Sequence, residues 1–150
     1  MKGIRFEDIE KWSGKKEIEI EDLFFEKIEM MMKTLFDEEV VIAKRQYTRF
    51  VGSIKTPKGN IPKRGRRVDI FCECKSGNKY LIEIKCTTDI GEIMKAIGQL
   101  LFYSVYFPEA NKMVLVSNYN EKIWEEVIKK YNLPIEFVLI GKNQTFMMKQ

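Results

Sequence analysis

Arg66-Arg67-Val68-Asp69-Ile70-Phe71 and Tyr80-Leu81-Ile82-Glu83-Ile84-Lys85-Cys86 are the two stretches whose reading decides the fold. Each is a short apolar run rich in β-branched and aromatic residues, the pattern of a buried strand. Ser76-Gly77-Asn78 between them carries the turn chemistry of a hairpin. Set into these apolar runs are charges: Asp69 on the first strand, Glu83 and Lys85 on the second. A buried charge is costly unless it has a partner or a metal, so the three side chains call for a shared purpose.

Side chains alternate faces along a strand. Glu83 and Lys85 therefore point one way, and Ile82, Ile84 and Cys86 the other. A register that pairs Asp69 with Lys85 and Phe71 with Glu83 puts all three charges on one face; a slip of one residue separates them. The arrangement requires an odd number of loop residues around Gly77. On a common face, Asp69 and Glu83 can share Mg²⁺, a hard cation that takes oxygen ligands and keeps several waters, with the Ile84 backbone carbonyl as a further ligand. Such an ion lowers the pKa of a bound water and stabilises charge building on a phosphate. Lys85 would orient or deprotonate that water, or neutralise the transition state. Glu73-Cys74-Lys75 repeats the Glu-x-Lys spacing, but it abuts the turn and lacks a preceding strand carrying an Asp, so the Glu83 copy is preferred.

The 150 residues suit one domain with a sizeable core, taken as residues 1–150. Hydrophobic content of 45% and charged content of 32% are ordinary for a globular protein and too apolar for disorder. No apolar run reaches membrane-spanning length, and Met1-Lys2-Gly3-Ile4-Arg5 does not begin a signal peptide, so a cytoplasmic protein is expected. Cys72, Cys74 and Cys86 lack the count and spacing of a disulfide framework, and no histidine is present to complete a zinc site. The absence of histidine also excludes Ser-His-Asp and Cys-His catalysis and any nuclease using a histidine base.

The net charge of +4 is modest, but its distribution is uneven. Between 44 and 67 the chain carries Lys44, Arg45, Arg49, Lys55, Lys58, Lys63, Arg64, Arg66 and Arg67 without one acid. Interleaved with Tyr47, Phe50 and three glycines, this segment predicts a phosphate-contacting element; a solvated basic loop is the alternative. Around it, Glu21 to Phe36 predicts a helix with Phe24, Ile28, Met31 and Leu35 on one face. Val40 to about Ile54 predicts a strand, and Thr56 to Pro62 a flap. Asp89 with Glu92 predicts a capping box opening a helix that runs to about Phe107. Met113 to Val116 and Pro134 to Ile140 predict strands separated by a helix capped by Asn120. The order is α-β-β-β-α-β-α-β, an α/β domain with a mixed sheet flanked by helices.

Val68-Asp69 followed by Ile82-Glu83-Ile84-Lys85 resembles the PD-(D/E)XK nuclease superfamily, the restriction-endonuclease-like fold shared by archaeal Holliday-junction resolvases and RecB-type nucleases. The resemblance spans roughly 21–117 and implies an αβββαβ core, here with an added C-terminal helix and strand. Val68 stands where the family name has proline. Gln99-Leu100-Leu101-Phe102-Tyr103 is similar to the Q-x-x-x-Y motif of RecB-type members, which implies that Gln99 and Tyr103 lie by the site and the DNA backbone. On that helix Lys95, Gln99 and Tyr103 are expected to form a polar stripe, with Ile93, Ile97, Leu100 and Leu101 inward. Thr87 and Lys95 are further candidates for phosphate contact. The family often adds a first-helix acid to the metal; Glu26 is the choice here, with Asp22 and Glu29 as rivals that helical spacing does not separate.

The resemblance implies a Mg²⁺-dependent deoxyribonuclease, with Mn²⁺ as a substitute, acting as a homodimer. A nuclease-like module that holds nucleic acid without cutting it, and a structural α/β domain with a chance Glu-x-Lys, are the other readings.

Overall fold

The computed structural model describes residues 3–5, 17–49, 53–62, 66–86, 89–117, 122–140 and 145–149. In chain order these form β1 (Gly3–Arg5), α1 (Glu17–Glu26), α2 (Ile28–Phe36), β2 (Val40–Arg49), β3 (Ser53–Thr56), β4 (Gly59–Pro62), β5 (Arg66–Cys74), β6 (Lys79–Lys85), α3 (Ile90–Tyr106), β7 (Lys112–Ser117), α4 (Lys122–Lys130), β8 (Ile135–Ile140) and β9 (Thr145–Lys149). Seven strands make one open mixed sheet in the order β1-β9-β8-β7-β6-β5-β2. β6, β7 and β8 run parallel, and β2, β5 and β6 antiparallel. α3 connects the parallel neighbours β6 and β7, as a parallel crossover requires.

The sheet is covered on both faces. Ile20, Phe24, Ile28, Met31, Met32 and Leu35 of α1 and α2 pack with Ile70, Cys72, Ile82, Ile84, Val114, Val116 and Val138. On the other face Ile93, Ala96, Ile97, Leu100, Tyr103 and Phe107 pack with Phe71, Leu81, Leu115, Phe137 and Leu139. Burial on both faces explains why β6 and β7 read as near-continuous apolar runs.

Most expected elements are present with adjusted bounds, but the strand expected from Val40 to about Ile54 is divided between β2 in the main sheet and β3 in a separate hairpin, and β1 and β9 add two strands that the sequence reading lacked. The single helix expected from Glu21 begins four residues earlier, at Glu17, and its regular geometry is interrupted at Lys27. Hydrogen bonds Lys27 N–H to Leu23 O and Met31 N–H to Lys27 O carry the chain across that interruption. Asp37 in the left-handed conformation ends α2. Asp89 caps α3, accepting from Gly91 N–H at 2.8 Å. The segment expected to form a flap is a hairpin, with β3 and β4 joined through Pro57-Lys58 and Thr56 paired with Gly59. Asn120, expected to cap α4, lies outside the described residues.

Candidate active site

β5 and β6 pair antiparallel from Glu73↔Lys79 to Ile70↔Ile82. The same register carried one step further sets Asp69 across from Glu83. This is two residues from the expected pairing of Asp69 with Lys85. The cause is the turn: Cys74 N–H donates to Asn78 O and Gly77 N–H to Cys74 O, both at 2.9 Å, which centres the loop on Ser76 rather than Gly77. Gly77 takes φ 93°, a conformation open to glycine. A shift of two is even, and residues 74–78 between the paired Glu73 and Lys79 are odd in number, so the parity requirement is met.

At Asp69 and Glu83 backbone pairing gives way to side chains. Asp69 N–H donates to Glu83 Oε1 at 3.0 Å, and Ile84 N–H donates to Asp69 Oδ2 at 3.0 Å. Each carboxylate thus takes a backbone donor from the opposing strand.

On its other side Asp69 faces β2, where the register places Gln46, between the pairs Arg45↔Ile70 and Tyr47↔Val68. Gln46 has φ 50°, left-handed backbone in the middle of a strand. Both strands change face here. Ile70, Cys72 and Cys74 pack toward α1 and α2, yet Val68, of the same parity, packs with the α3 core. On β2, Ala43 packs toward α1 and α2 and Arg45 reaches Glu21 of α1, yet the Tyr47 ring packs at a tilt against Phe71 and Phe107 on the α3 side. A left-handed residue bearing a Cβ costs roughly 1–3 kcal/mol and persists only where its surroundings hold it. The Gln46 side chain is held: Nε2 lies 2.5 Å from Glu21 Oε1 and 3.4 Å from Asp69 Oδ1. Glu21 is buried and accepts from Arg45 Nη2 at 2.7 Å and Nε at 3.2 Å. Arg45 also pairs with Asp22.

Charge is crowded at this switch. Glu83 is 5% exposed, and burial first, then the Asp69 charge, push its carboxyl well above the usual carboxylate range; Lys85 opposes the shift. Burial also raises Asp69, assisted by the charges of Glu21 and Glu17 and opposed by the Ile84 N–H. Glu17 is tied in place by accepting from Cys86 N–H at 2.9 Å. Tyr103, buried in the α3-side core, is pushed up to about 12 by burial first and then by the charges of Glu83 and Asp69. Lys85 is half-buried, with Nζ 3.8 Å from Glu92 Oε2 in the first turn of α3.

Among the described residues no three Asp, Glu, Cys or His side chains enclose a metal position. Asp69 and Glu83 offer two adjacent carboxylates, whose mutual repulsion in a buried place is relieved by a proton or a cation. A pair of carboxylate oxygens completed by waters and substrate oxygens suits Mg²⁺, which seldom occupies an all-protein cage. The donor set fits that ion.

The other expected site residues scatter. Glu26 is exposed and with Lys27, Ile28, Glu29 and Met30 lines a surface depression; the helix turn that buries Ile20 and Phe24 points Glu26 to solvent, and the α1 acids whose charges reach Asp69 are Glu21 and Glu17. Gln99 is exposed while Tyr103 is buried, so Lys95, Gln99 and Tyr103 do not form one polar stripe. Lys95 pairs with Glu92 at 3.1 Å. The basic segment is less uncompensated than its sequence suggests, because acids arrive from elsewhere: Glu21 and Asp22 to Arg45, and Glu109 to Arg49. Arg49 also covers the Phe107 ring, Lys44 the Tyr47 ring, and Arg66 the Tyr106 ring. Arg67 and Lys58 are exposed. Lys55 lies on β3, and Lys63, Arg64 and Thr87 fall outside the described residues.

Glu17, Glu21 and Gln46 are the site neighbours that sequence reasoning missed. For Glu21 a signal existed: it falls three and seven residues before Phe24 and Ile28, on the apolar stripe of α1 and α2, where an acid needs a partner. No family model matches the chain, and neither a curated protein nor a solved structure matches it.

Proposed function

We propose that this chain is a Mg²⁺-dependent deoxyribonuclease built on a restriction-endonuclease-like core, with Asp69 and Glu83 as the cation-holding pair and Lys85 as the cationic group beside it. One observation carries the reading: two carboxylates on adjacent strands replace the backbone ladder, each held by the other strand's N–H, with a lysine two residues beyond Glu83. A purely structural domain gains nothing from two neighbouring acids whose carboxyls burial raises, with the Asp69 charge adding to the shift at Glu83. When bound, the ion supplies a water of lowered pKa and stabilises charge developing on the phosphate.

The chain's own groups divide the remaining work. Asp69 and Glu83 present hard oxygens in a fixed direction, because a backbone N–H restrains one oxygen of each. Lys85, in a long ion pair with Glu92, is suited to move toward an incoming phosphate or to orient the attacking water. Tyr103, held protonated far above neutral pH and subject to the charges of both acids, would serve as a hydrogen-bond donor. Arg67 and Lys44, exposed near this end of the sheet, are suited to the phosphate backbone. The proposal includes a homodimer, supported by the exposed Met94, Phe102 and Val105 of α3, 61%, 67% and 65% accessible.

The deciding experiment incubates the protein with linear, nicked, single-stranded and four-way DNA in Mg²⁺ and Mn²⁺. Metal-dependent cleavage lost in Asp69→Ala, Glu83→Ala and Lys85→Ala supports the reading. No cleavage of any substrate by folded wild type sinks it, and DNA binding without divalent-ion binding would favour a module that only holds nucleic acid.

A further inference from the structure

Gln46 is not among the residues a metal-dependent nuclease would be expected to need, yet three independent features converge on it. It is a non-glycine residue with φ 50° inside a strand. It stands opposite Asp69, where β2 and β5 both change face. Its amide Nε2 lies between two acids, 2.5 Å from Glu21 Oε1 and 3.4 Å from Asp69 Oδ1. We infer that Gln46 is a positioning residue: its amide bridges Glu21 and Asp69 and sets the direction in which the Asp69 carboxylate points.

The chemistry of the side chain fits that role. Glu21 and Asp69 repel each other, and something must hold them at this separation. A lysine or arginine would do so by neutralising Asp69 and competing with an incoming cation. The glutamine amide supplies two N–H donors and no charge, so it ties the acids while leaving their negative charge available. The anchor behind it is firm, since Glu21 is gripped by Arg45, itself paired with Asp22. A continuous path then runs from Asp22 through Arg45, Glu21 and Gln46 to Asp69 and on to the Ile84 N–H. The left-handed backbone is what lets Gln46 reach the α1 side immediately after Arg45, which points to the same side. Strict alternation would send the two side chains to opposite faces.

The inference rests on reading Asp69 and Glu83 as a cation-holding pair, and the test separates the two. Gln46→Gly accepts the positive φ but has no amide; Gln46→Asn tolerates it and keeps an amide on a shorter arm. Mn²⁺ affinity by calorimetry, kcat and KM on the cleaved DNA, and amide hydrogen exchange at Asp69 and Ile84 are measured for each, with thermal stability as the control. Positioning predicts that Gln46→Gly melts no lower than wild type, loses about tenfold or more in Mn²⁺ affinity, and loses kcat with little change in KM. Exchange at Asp69 and Ile84 rises about tenfold while Leu81 is unchanged, and Gln46→Asn lies between glycine and wild type. Wild-type Mn²⁺ affinity together with wild-type exchange in Gln46→Gly would overturn the inference. If wild type itself binds no Mn²⁺ and cuts nothing, the cation reading has failed, and exchange at Asp69 and Ile84 still decides whether Gln46 holds the acid in place.

Discussion

Glu83 accepts the backbone N–H of Asp69 at 3.0 Å, and the residue after Glu83 returns a bond of the same length to the Asp69 carboxylate. The two acids are thus built into the strand pairing and cannot swing apart to relieve their repulsion. Four consequences can be measured.

Stability should fall as pH rises. A carboxyl whose folded pKa is raised binds more protons in the native state between its unfolded and folded values, so stability is lost as pH climbs through that window. For Glu83 and Asp69 the window opens near the ordinary carboxylate range and extends upward. Glu38 acts oppositely. Burial works against its charge, but hydrogen bonds from Ser76, Asn78 and Tyr80 outweigh it and hold its carboxyl low, so its contribution is lost only under more acidic conditions. Urea titrations without divalent ions should show a maximum near pH 5 and a decline of on the order of 2 kcal/mol by pH 8. Glu83→Gln should flatten that decline and be the more stable protein at pH 8.

Divalent ions should reverse the same trend. A ligand that binds only the folded state stabilises it in proportion to the logarithm of its concentration over Kd, about 2.7 kcal/mol at a hundredfold excess. Mg²⁺ should raise the melting temperature at pH 8 more than at pH 5, where protons compete for the carboxylates. Asp69→Asn should remove the effect at both. An equal Mg²⁺ shift in Asp69→Asn would show that the ion binds elsewhere.

Cleavage should separate the two Glu-x-Lys copies. Lys85→Ala should cost about 100-fold or more in kcat, the scale of losing one charge-stabilising group. Lys75→Ala, beside the turn and near Glu39, should leave the rate within about twofold. Equal losses in both would refute the assignment.

DNA binding should distinguish cations by what already holds them. Each phosphate contact removed lowers the salt slope of binding by about 1. Arg67→Ala, at an exposed position, should show that change. Arg45→Ala should leave the slope alone and instead destabilise the fold by about 2–4 kcal/mol, because it strands the buried Glu21. A fluorescence-anisotropy salt series on both variants reads the difference.

The hairpin, the α3 boundaries and the buried face of α1 and α2 were legible because each depends on local chemistry. Ser76-Gly77-Asn78 can turn, Asp89 can cap, and Phe24, Ile28, Met31 and Leu35 recur at helical spacing. Loop parity also carried the two acids together, although the turn centre was misplaced by one residue and the register therefore by two. The face change at Gln46 and Asp69 was not legible. Alternation presumes regular strands, and a left-handed glutamine leaves no mark in the sequence of the kind glycine does. The partners of Arg45 and Arg49 escaped for a different reason: Glu21 and Glu109 are distant in the chain, and charge counted along a segment is blind to acids folded onto it.

The turn end of the same hairpin is fastened too, by residues that precede it in the chain. Glu38 receives the Tyr80 hydroxyl at 2.7 Å and the Asn78 amide at 2.9 Å, and Lys75 N–H closes onto Glu39 O at 2.8 Å. β5 and β6 are therefore stitched at both ends of the hairpin, by Glu38 and Glu39 at the turn and by their own acids at Asp69 and Glu83. The two sets of stitches share the same pair of strands, so cutting the first with Tyr80→Phe should speed amide exchange at Asp69 and Ile84 without touching a residue there.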